Sequence, residues 1–410
     1  MAQSFITALD IGSQNIKVAI AEVRRDGRLT LLRLIKTLST GVRKGVVDNL
    51  ADATRSVNDI LSEVKKFEKS ALKNIFLAVG GRDVKLHTSK GIVAVSRADS
   101  EIQRDDIERV TEASHAMKLK NNRIILHALI QEYVVDDVGD IRDPLGMVGN
   151  RLEANSLIID AFEPNVKRLN QCVETAGGNV TGLVFSPLAT ASSILTKDQK
   201  ELGVAVVDIG FGKTGLAVYE ENQLIHAKVF AFGSGNITND LAIGLKIPIH
   251  VAENIKLSLG VAVAKEAPSR EQIDLKKFDV GSRKAVTRRA IAEIVEDRLA
   301  EIFQFVDNDL KAIRKSAKLP AGIVLSGGGS KLPLIADLAR RELKLNSQIG
   351  IPDFSAIEIA NSDLALEAED PEFACVLGLI QWGYDQARGE EFYTPAGGNF
   401  LKKFLKNFIP

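Results

Sequence analysis

Two segments of this chain carry the same three residues, Asp-Ile-Gly, at the end of an apolar run. The first runs from Phe5 to Ser13 and holds Asp10, Gly12 and Ser13; the second runs from Val204 to Thr214 and holds Asp208, Gly210, Gly212 and Thr214. A strand ending in Asp-x-Gly turns back tightly, with its backbone N–H groups facing outward. Glycine lets that backbone approach a phosphate closely and adopt positive φ. The aspartate at the strand end can hold the water shell of a Mg²⁺ ion. Lys17 can lie on the phosphates, and Ser13 and Thr214 can offer hydroxyls. One such turn is common and says little, whereas two copies facing each other across a cleft describe a phosphate site. A third glycine element, Gly327-Gly328-Gly329, follows the apolar run Ala321 to Ser326. Glycines at a strand–helix junction bring backbone close to a flat ligand such as adenine, although a loop needing positive φ has the same composition. Glu253 and Lys256, at i and i+3 on one helix, can reach a ribose and a base; the same spacing also describes a surface ion pair.

The elements around these residues repeat. Each Asp-Ile-Gly turn leads to a second apolar strand (Lys17 to Val23; Gly215 to Tyr219) and, through a short polar turn, to a third (Leu29 to Leu34; Leu224 to Val229). Helical periodicity follows the first copy over Leu50 to Phe67, then a strand over Asn74 to Val79. The second copy is followed by helices over Asn236 to Leu245 and Val251 to Leu259, and a further helix from Pro333 follows the glycine triplet. A unit used twice implies two related domains with a cleft between them.

The chain has 410 residues, enough for two to four folding units, and is 45 % hydrophobic. Its 53 basic and 53 acidic residues balance, so no overall field draws it to nucleic acid. Cys172 and Cys375 form no CxxC pair, and the five histidines show no HxxxH spacing, so a cytosolic protein with buried thiols and no transition-metal site is expected. Asp10 interrupts the first apolar stretch and no basic segment precedes it, so no signal peptide is expected. No apolar run reaches the ~18 residues of a membrane span.

The residues from Phe400 to Pro410 are different in kind. Phe400, Leu401, Phe404, Leu405, Phe408 and Ile409 share one face of a helix, and Lys402, Lys403 and Lys406 fill the other. At ~1.5 Å per residue that helix is too short to cross a hydrocarbon core of ~30 Å. It suits the headgroup interface, with its lysines toward anionic lipid; it also suits docking on a protein surface. The preceding Gly389 to Gly398, with Gly, Pro, Thr and two glutamates, reads as a tether.

The set Asp10-x-Gly-Ser, Asp208-x-Gly-x-Gly-x-Thr214 and Gly327-Gly-Gly resembles the actin/Hsp70/sugar-kinase superfamily of ATP-binding proteins. Within it, nearly the whole chain resembles the FtsA family of bacterial division proteins. The most specific stretches are Ile125 to Asp136 and Ile141 to Leu152, which look like the signature of the FtsA 1C subdomain; Gly41 to Asp48 and Ala252 to Gly260 also match.

The resemblance implies an α/β, actin-like (ribonuclease H-like) two-domain ATPase fold, with subdomain 1C in place of 1B and a C-terminal amphipathic helix. Subdomain 1A would take residues 1–84 and 161–192, 1C 85–160, 2A 193–247 and 320–370, and 2B 248–319. A closing helix on 1A would follow at 371–388, then a linker at 389–398 and the membrane-targeting helix at 399–410. ATP and Mg²⁺ are the implied cofactors. Asp10 and Asp208 would hold the metal largely through water, and Gly235 and Asn236 join the nucleotide contacts. The implied partners are the FtsZ C-terminal peptide, further copies of the chain in a protofilament, an anionic membrane surface on the cytoplasmic side at the division site, and later divisome proteins through 1C. In 2B, the basic cluster Arg283, Lys284, Arg288 and Arg289 precedes a long helix (Ala290 to Arg314) and would meet carboxylates of the FtsZ tail.

The chain departs from the family pattern in places. The acid that often trails the second glycine loop is Gly215 here, and Gln14 replaces the second glycine found in the first loop of actin. No glutamate or glutamine stands near Phe185 to Ala189 to position an attacking water, which leaves Asp208 as the candidate for that role and implies weak or absent hydrolysis. The alternative is an actin-fold adaptor of a type IV pilus machine, like PilM, which also has a 1C subdomain but lacks the C-terminal lipid helix. A sugar kinase would have no need of the tail, and a chaperone would need a substrate domain after Gly383.

Overall fold

The computed structural model describes residues 4–388 except 98, 118 and 279–284. Its frame is two β-sheets with the same strand order. In the first, Leu29–Leu38, Asn15–Val23, Ser4–Ile11, Ile75–Val79 and Val180–Phe185 lie side by side, with Glu358–Ile359 added beyond Leu29–Leu38. In the second, Gln223–Phe230, Thr214–Glu220, Val204–Ile209, Ile323–Ser326 and Ser347–Ile349 repeat that order. The first three strands of each set are antiparallel, and the next two run parallel to the first. The expected repeat is therefore a repeat of topology. The third strand of the first set extends to Leu38 because it stays paired along Asn15–Val23 as far as Asn15.

The helix Leu50–Phe67 starts at Asn49, whose side chain accepts from the N–H groups of Ala51 and Asp52. Ala53, Val57, Ile60, Leu61 and Val64 recur at helical spacing and are buried against the first sheet and the Glu163–Thr175 helix. Two helices, Ser186–Ile194 and Ala374–Ala387, cross closely beside the first sheet. Their contact is set by Gly378, where a Cβ would fall 1.7 Å from the Ala189 carbonyl oxygen. The Ala374–Ala387 helix also covers Ser4–Ile11 and Ile75–Val79, and the Tyr384 hydroxyl donates to the Gly27 carbonyl at 2.6 Å.

Between Ile75–Val79 and Val180–Phe185 the chain builds a separate four-stranded sheet, in the order Lys85–Ala94, Arg151–Phe162, Arg123–Val135, Val138–Ile141. The helix Arg104–His115 packs on it around a small core of Ile102, Val110, Tyr133, Leu152 and Ala154. Where this unit joins the first sheet, Arg123 grips Asp160 with Nε and Nη2, each at 2.5 Å, and Nη2 also donates to the Asp83 carbonyl. The Asp83 carboxylate in turn accepts from the Phe162 N–H and from Asn165. Asp160 is buried, so this clasp fixes both ends of the inserted unit.

The second sheet carries the helices Ser234–Leu245, Ile249–Leu259 and Arg288–Ala312, plus the ribbon Gln272–Asp274 with Ala285–Thr287. They share one apolar core with that sheet, including Ile237, Leu241, Ile255, Val295, Leu299 and Phe303. Among the described residues no helix is long and apolar enough to cross a membrane.

Candidate functional site

The two Asp-Ile-Gly turns adopt the same hairpin. The Gly12 N–H donates to the Asn15 carbonyl at 3.1 Å, and the Gly210 N–H donates to the Lys213 carbonyl at 2.9 Å. They meet tip to tip, since a Cβ on Gly212 would lie 2.7 Å from Ser13 Oγ. Both face a cleft of about 390 Å³ between the two sheets.

Asp10, Gly12, Ser13, Lys17, Asp208, Gly210, Gly212, Glu253, Lys256 and all three glycines of Gly327 to Gly329 line that cleft. Gly327 has φ of +80° and presses on the second aspartate; a Cβ there would stand 2.3 Å from Asp208 Oδ1. The chain then makes a tight turn over Gly328–Lys331, and Leu334 takes a left-handed conformation. The following helix consequently starts at Ile335 and not at Pro333.

Asp208 is partly buried, and this enclosure pushes its carboxyl above the usual range. Lys213 and Lys17 oppose that shift, Asp10 adds to it, and Thr190 Oγ1 donates to Asp208 Oδ2 at 3.2 Å. A bound divalent cation would act in the same direction as the lysines. Lys213 crosses from the second hairpin to the first domain, where its Nζ donates to Ser186 Oγ at 3.1 Å and lies against Gly80. Lys213 falls on an unassigned position of the Asp208-x-Gly-x-Gly-x-Thr214 pattern, and its place beside Gly212 is the local signal for it.

Glu253 and Lys256 are not a surface pair. Lys256 is 4 % exposed and donates to Glu253 Oε2 at 2.7 Å and to Thr238 Oγ1 at 3.0 Å. Burial works to raise the Glu253 carboxyl, but Lys256 with the Thr238 and Gln14 donors holds it below the ordinary value. Gln14 reaches Glu253 from the first hairpin, Nε2 to Oε1, at 3.1 Å, and so bridges the two domains across the cleft. The Lys256 ammonium also lies 5.4 Å from the centre of the Phe211 ring.

Three expected contacts are placed elsewhere. Thr214 is fully buried and its hydroxyl donates to the Phe232 carbonyl at 2.9 Å, so it is not offered to a phosphate. As the first residue of a strand buried on both faces, it turns inward and must satisfy its own oxygen. Gly235 and Asn236 sit in the first turn of the Ser234–Leu245 helix. The Gly235 N–H donates to the Phe211 carbonyl and Asn236 Oδ1 accepts from the Gly233 N–H at 3.1 Å, so both support the second hairpin from behind, and Ser234 lines the cleft instead.

The two described members of the candidate basic cluster, Arg288 and Arg289, do not line the cleft. Arg288 opens the Arg288–Ala312 helix with Nη1 3.2 Å from Glu271, and Arg289 pairs with Glu293 at 3.6 Å. Arg283 and Lys284 lie outside the described residues, as do the 389–398 linker and the whole amphipathic segment from Phe400 to Ile409.

Comparison with known proteins agrees with this architecture. Residues 205–378 match the family model described as cell division protein FtsA, and residues 81–160 match the model of the SHS2 domain inserted in FtsA. The FtsA of Pseudomonas aeruginosa is 33 % identical over 96 % of this chain and 93 % of its own length. The FtsA of Bacillus subtilis is 31 % identical over 93 % of this chain and 84 % of its own length. Among solved structures, the PilM–PilN type IV pilus biogenesis complex superposes with a TM-score of 0.65 at 17 % identity, covering 92 % of this chain and 98 % of that one. An MreB of Spiroplasma citri bound to ADP superposes with a TM-score of 0.55 at 13 % identity, covering 94 % of this chain and 98 % of that one. The fold is thus actin-like, and the chain belongs to the FtsA family of cell division proteins.

Proposed function

We propose that this chain is a nucleotide-dependent adaptor of cell division. It binds ATP with Mg²⁺, polymerises as actin does, holds the FtsZ C-terminal peptide through the 2B region and anchors it to the cytoplasmic face of the cell membrane. Later divisome proteins are recruited through the inserted 1C unit. The observation that carries the nucleotide part is the pair of matching hairpins meeting tip to tip, with Asp10, Asp208, Lys17 and Lys213 between them. The residues present fit the group. Backbone comes close where Gly212 and Gly327 leave no room for a Cβ, and the cleft volume is that of a small-ligand site.

In this reading Asp10 and Asp208 hold Mg²⁺ through its waters, Lys17 and Lys213 hold the phosphates, and Glu253 and Lys256 hold the nucleoside. Bound Mg²⁺ supplies charge neutralisation between the phosphates. The Ser186–Ile194 helix faces Asp208 with Thr190 and Lys213 with Ser186, and presents no carboxylate or amide there. Asp208 itself is left to orient a water, which supports slow turnover or binding alone. The membrane part rests on the Phe400 to Ile409 segment, read from its sequence.

The test is co-sedimentation with anionic liposomes of the full chain and of a chain cut after Glu391, each with a carrier-coupled FtsZ C-terminal peptide. The full chain is expected to bring the peptide down and the truncated chain to leave it in solution. If both leave the peptide and themselves in the supernatant, the adaptor reading fails.

A further inference from the structure

The cleft is lined by five lysines against four carboxylates, and the nucleotide reading uses only three of the lysines. The other two, Lys36 and Lys331, enter from opposite domains. Lys36 lies in a row that crosses three adjacent strands of the first sheet, since Asp10 pairs with Lys17 and Lys17 pairs with Lys36. Cross-strand partners share one face of a sheet, so Lys36 is directed to the same side as Asp10 and Lys17. The equivalent row of the second sheet is Asp208, Gly215, Val229, with no cation. Lys331 ends the turn that begins with the glycine loop of the second domain.

One carboxylate holds both lysines. Glu372 is 9 % exposed, with Oε1 2.6 Å from Lys36 Nζ and 3.7 Å from Lys331 Nζ. Asp370 pairs with Lys331 as well, and its Oδ1 accepts from the Glu372 N–H at 3.0 Å. The turn carrying Glu372 is stapled to both domains. The Glu372 carbonyl accepts from Lys17 Nζ at 2.7 Å, and the Pro371 carbonyl accepts from Ser326 Oγ at 3.1 Å and from the Gly327 N–H at 3.2 Å. A carboxylate so enclosed beside an anion site is unfavourable unless it orders cations that meet the anion. The side chains of Lys36 and Lys331 remain 40 % and 47 % exposed, so their ammonium groups keep donors free for a further oxygen.

We infer that Lys36 and Lys331 are a second pair of polyphosphate-binding lysines, one from each domain, and that Glu372 is the positioning residue that presets them. This rests on the nucleotide reading of the cleft and extends it. The ligand class is a nucleoside di- or triphosphate, and these lysines contact its phosphates and not its nucleoside.

The experiment uses the full chain and its K36Q, K331Q, K36Q/K331Q and E372Q variants. ATP, ADP and adenosine are each titrated with Mg²⁺ present, and thermal melting checks that each variant is folded. Each single lysine variant is expected to weaken ATP and ADP binding roughly tenfold, as loss of one charge-assisted hydrogen bond does, with adenosine binding unchanged. E372Q is expected to weaken ATP binding severalfold although it removes a negative charge from the cleft. Unchanged ATP binding in K36Q/K331Q, or an equal loss for ATP and adenosine, overturns the phosphate assignment while the nucleotide reading stands. Tighter ATP binding by E372Q overturns the positioning role. If the unaltered chain binds none of the three ligands, the nucleotide reading falls and the lysine assignment falls with it.

Discussion

His127 makes the stability of this protein fall on mild acidification. It lies on the Arg123–Val135 strand of the inserted unit, is fully buried, and accepts the Phe185 N–H on Nε2 at 2.9 Å. Its ring centre is 5.1 Å from that of Trp382, the single tryptophan of the chain. Burial lowers its pKa from 6.5 to about 3. The folded state therefore resists the proton that the unfolded chain takes up below pH 6.5. Stability from this group is complete above that value and is lost as pH falls toward 3. Each unit of pH inside the window costs about 1.4 kcal/mol, so moving from pH 7 to pH 5 removes about 2 kcal/mol. His127→Gln provides the control. Its amide can reach the Phe185 N–H from the position of Nε2 but does not titrate. At pH 7 the variant should be less stable by about 1 kcal/mol, for the lost ring contact and poorer fit. By pH 5 the histidine protein should have lost about 2 kcal/mol that the variant keeps, reversing their order. The assay is urea unfolding followed by Trp382 fluorescence at pH 7, 6 and 5. His115, also lowered by burial, to about 4, is common to both proteins and cancels in the difference. A stability difference that stays constant across the three pH values would refute the argument, because His127 would then titrate alike in both states.

Three further perturbations follow from single contacts. Gly378→Ala places a methyl group into the Ala189 carbonyl at the helix crossing; it should cost at least about 3 kcal/mol, seen as a large drop in thermal midpoint or as insoluble protein. Arg123→Met takes the guanidinium from the buried Asp160, with the His87 ring at 3.4 Å left beside it, and should cost about 3–5 kcal/mol, with proteolysis beginning in the inserted unit; cleavage elsewhere first would count against the clasp. Gln14→Gly removes the hydrogen bond across the cleft to Glu253 and should speed nucleotide release about fivefold, equivalent to about 1 kcal/mol, by stopped-flow displacement of a fluorescent ATP analogue; an unchanged rate would mean the bridge does not gate the cleft.

What was legible in the sequence was whatever is local. Asp10-Ile-Gly and Asp208-Ile-Gly announce two hairpins because the residues that make the turn are adjacent, and the alternating apolar runs beside them announce the strands. The Glu253–Lys256 spacing was visible, but whether that face of the helix is wet or buried depends on Thr238 and Gln14, and the latter is 239 residues away. Lys36 and Glu372 could not be found this way. The row Asp10, Lys17, Lys36 exists only once strand register is known, and Glu372 joins it from the far end of the chain. Thr214 misled for a related reason, since a hydroxyl in a glycine loop resembles a phosphate ligand until the buried strand it opens directs it to Phe232.

The two halves share a topology but divide their charge differently, and that difference bears on how the cleft works. In the first half the cation opposite the aspartate is on the neighbouring strand, as Lys17 faces Asp10. In the second half Gly215 occupies that position, and the nearby cation has moved into the loop as Lys213. Asp208 is thus compensated by Lys213 from its own hairpin and by Lys17 from the other domain, against a burial that favours its neutral form. Lys213 itself is held by Ser186 of the first domain. Separating the domains would withdraw Lys17 from Asp208 and Lys213 from Ser186 together. These contacts favour the closed cleft, although burial there outweighs both lysines and holds the Asp208 carboxyl above its ordinary range. The Gln14–Glu253 bridge and the Glu372 turn act in the same sense, since each ties the two domains across the same cleft. A divalent cation bound at Asp208 would offset that burial, so cation binding and closure would support each other through this one carboxylate.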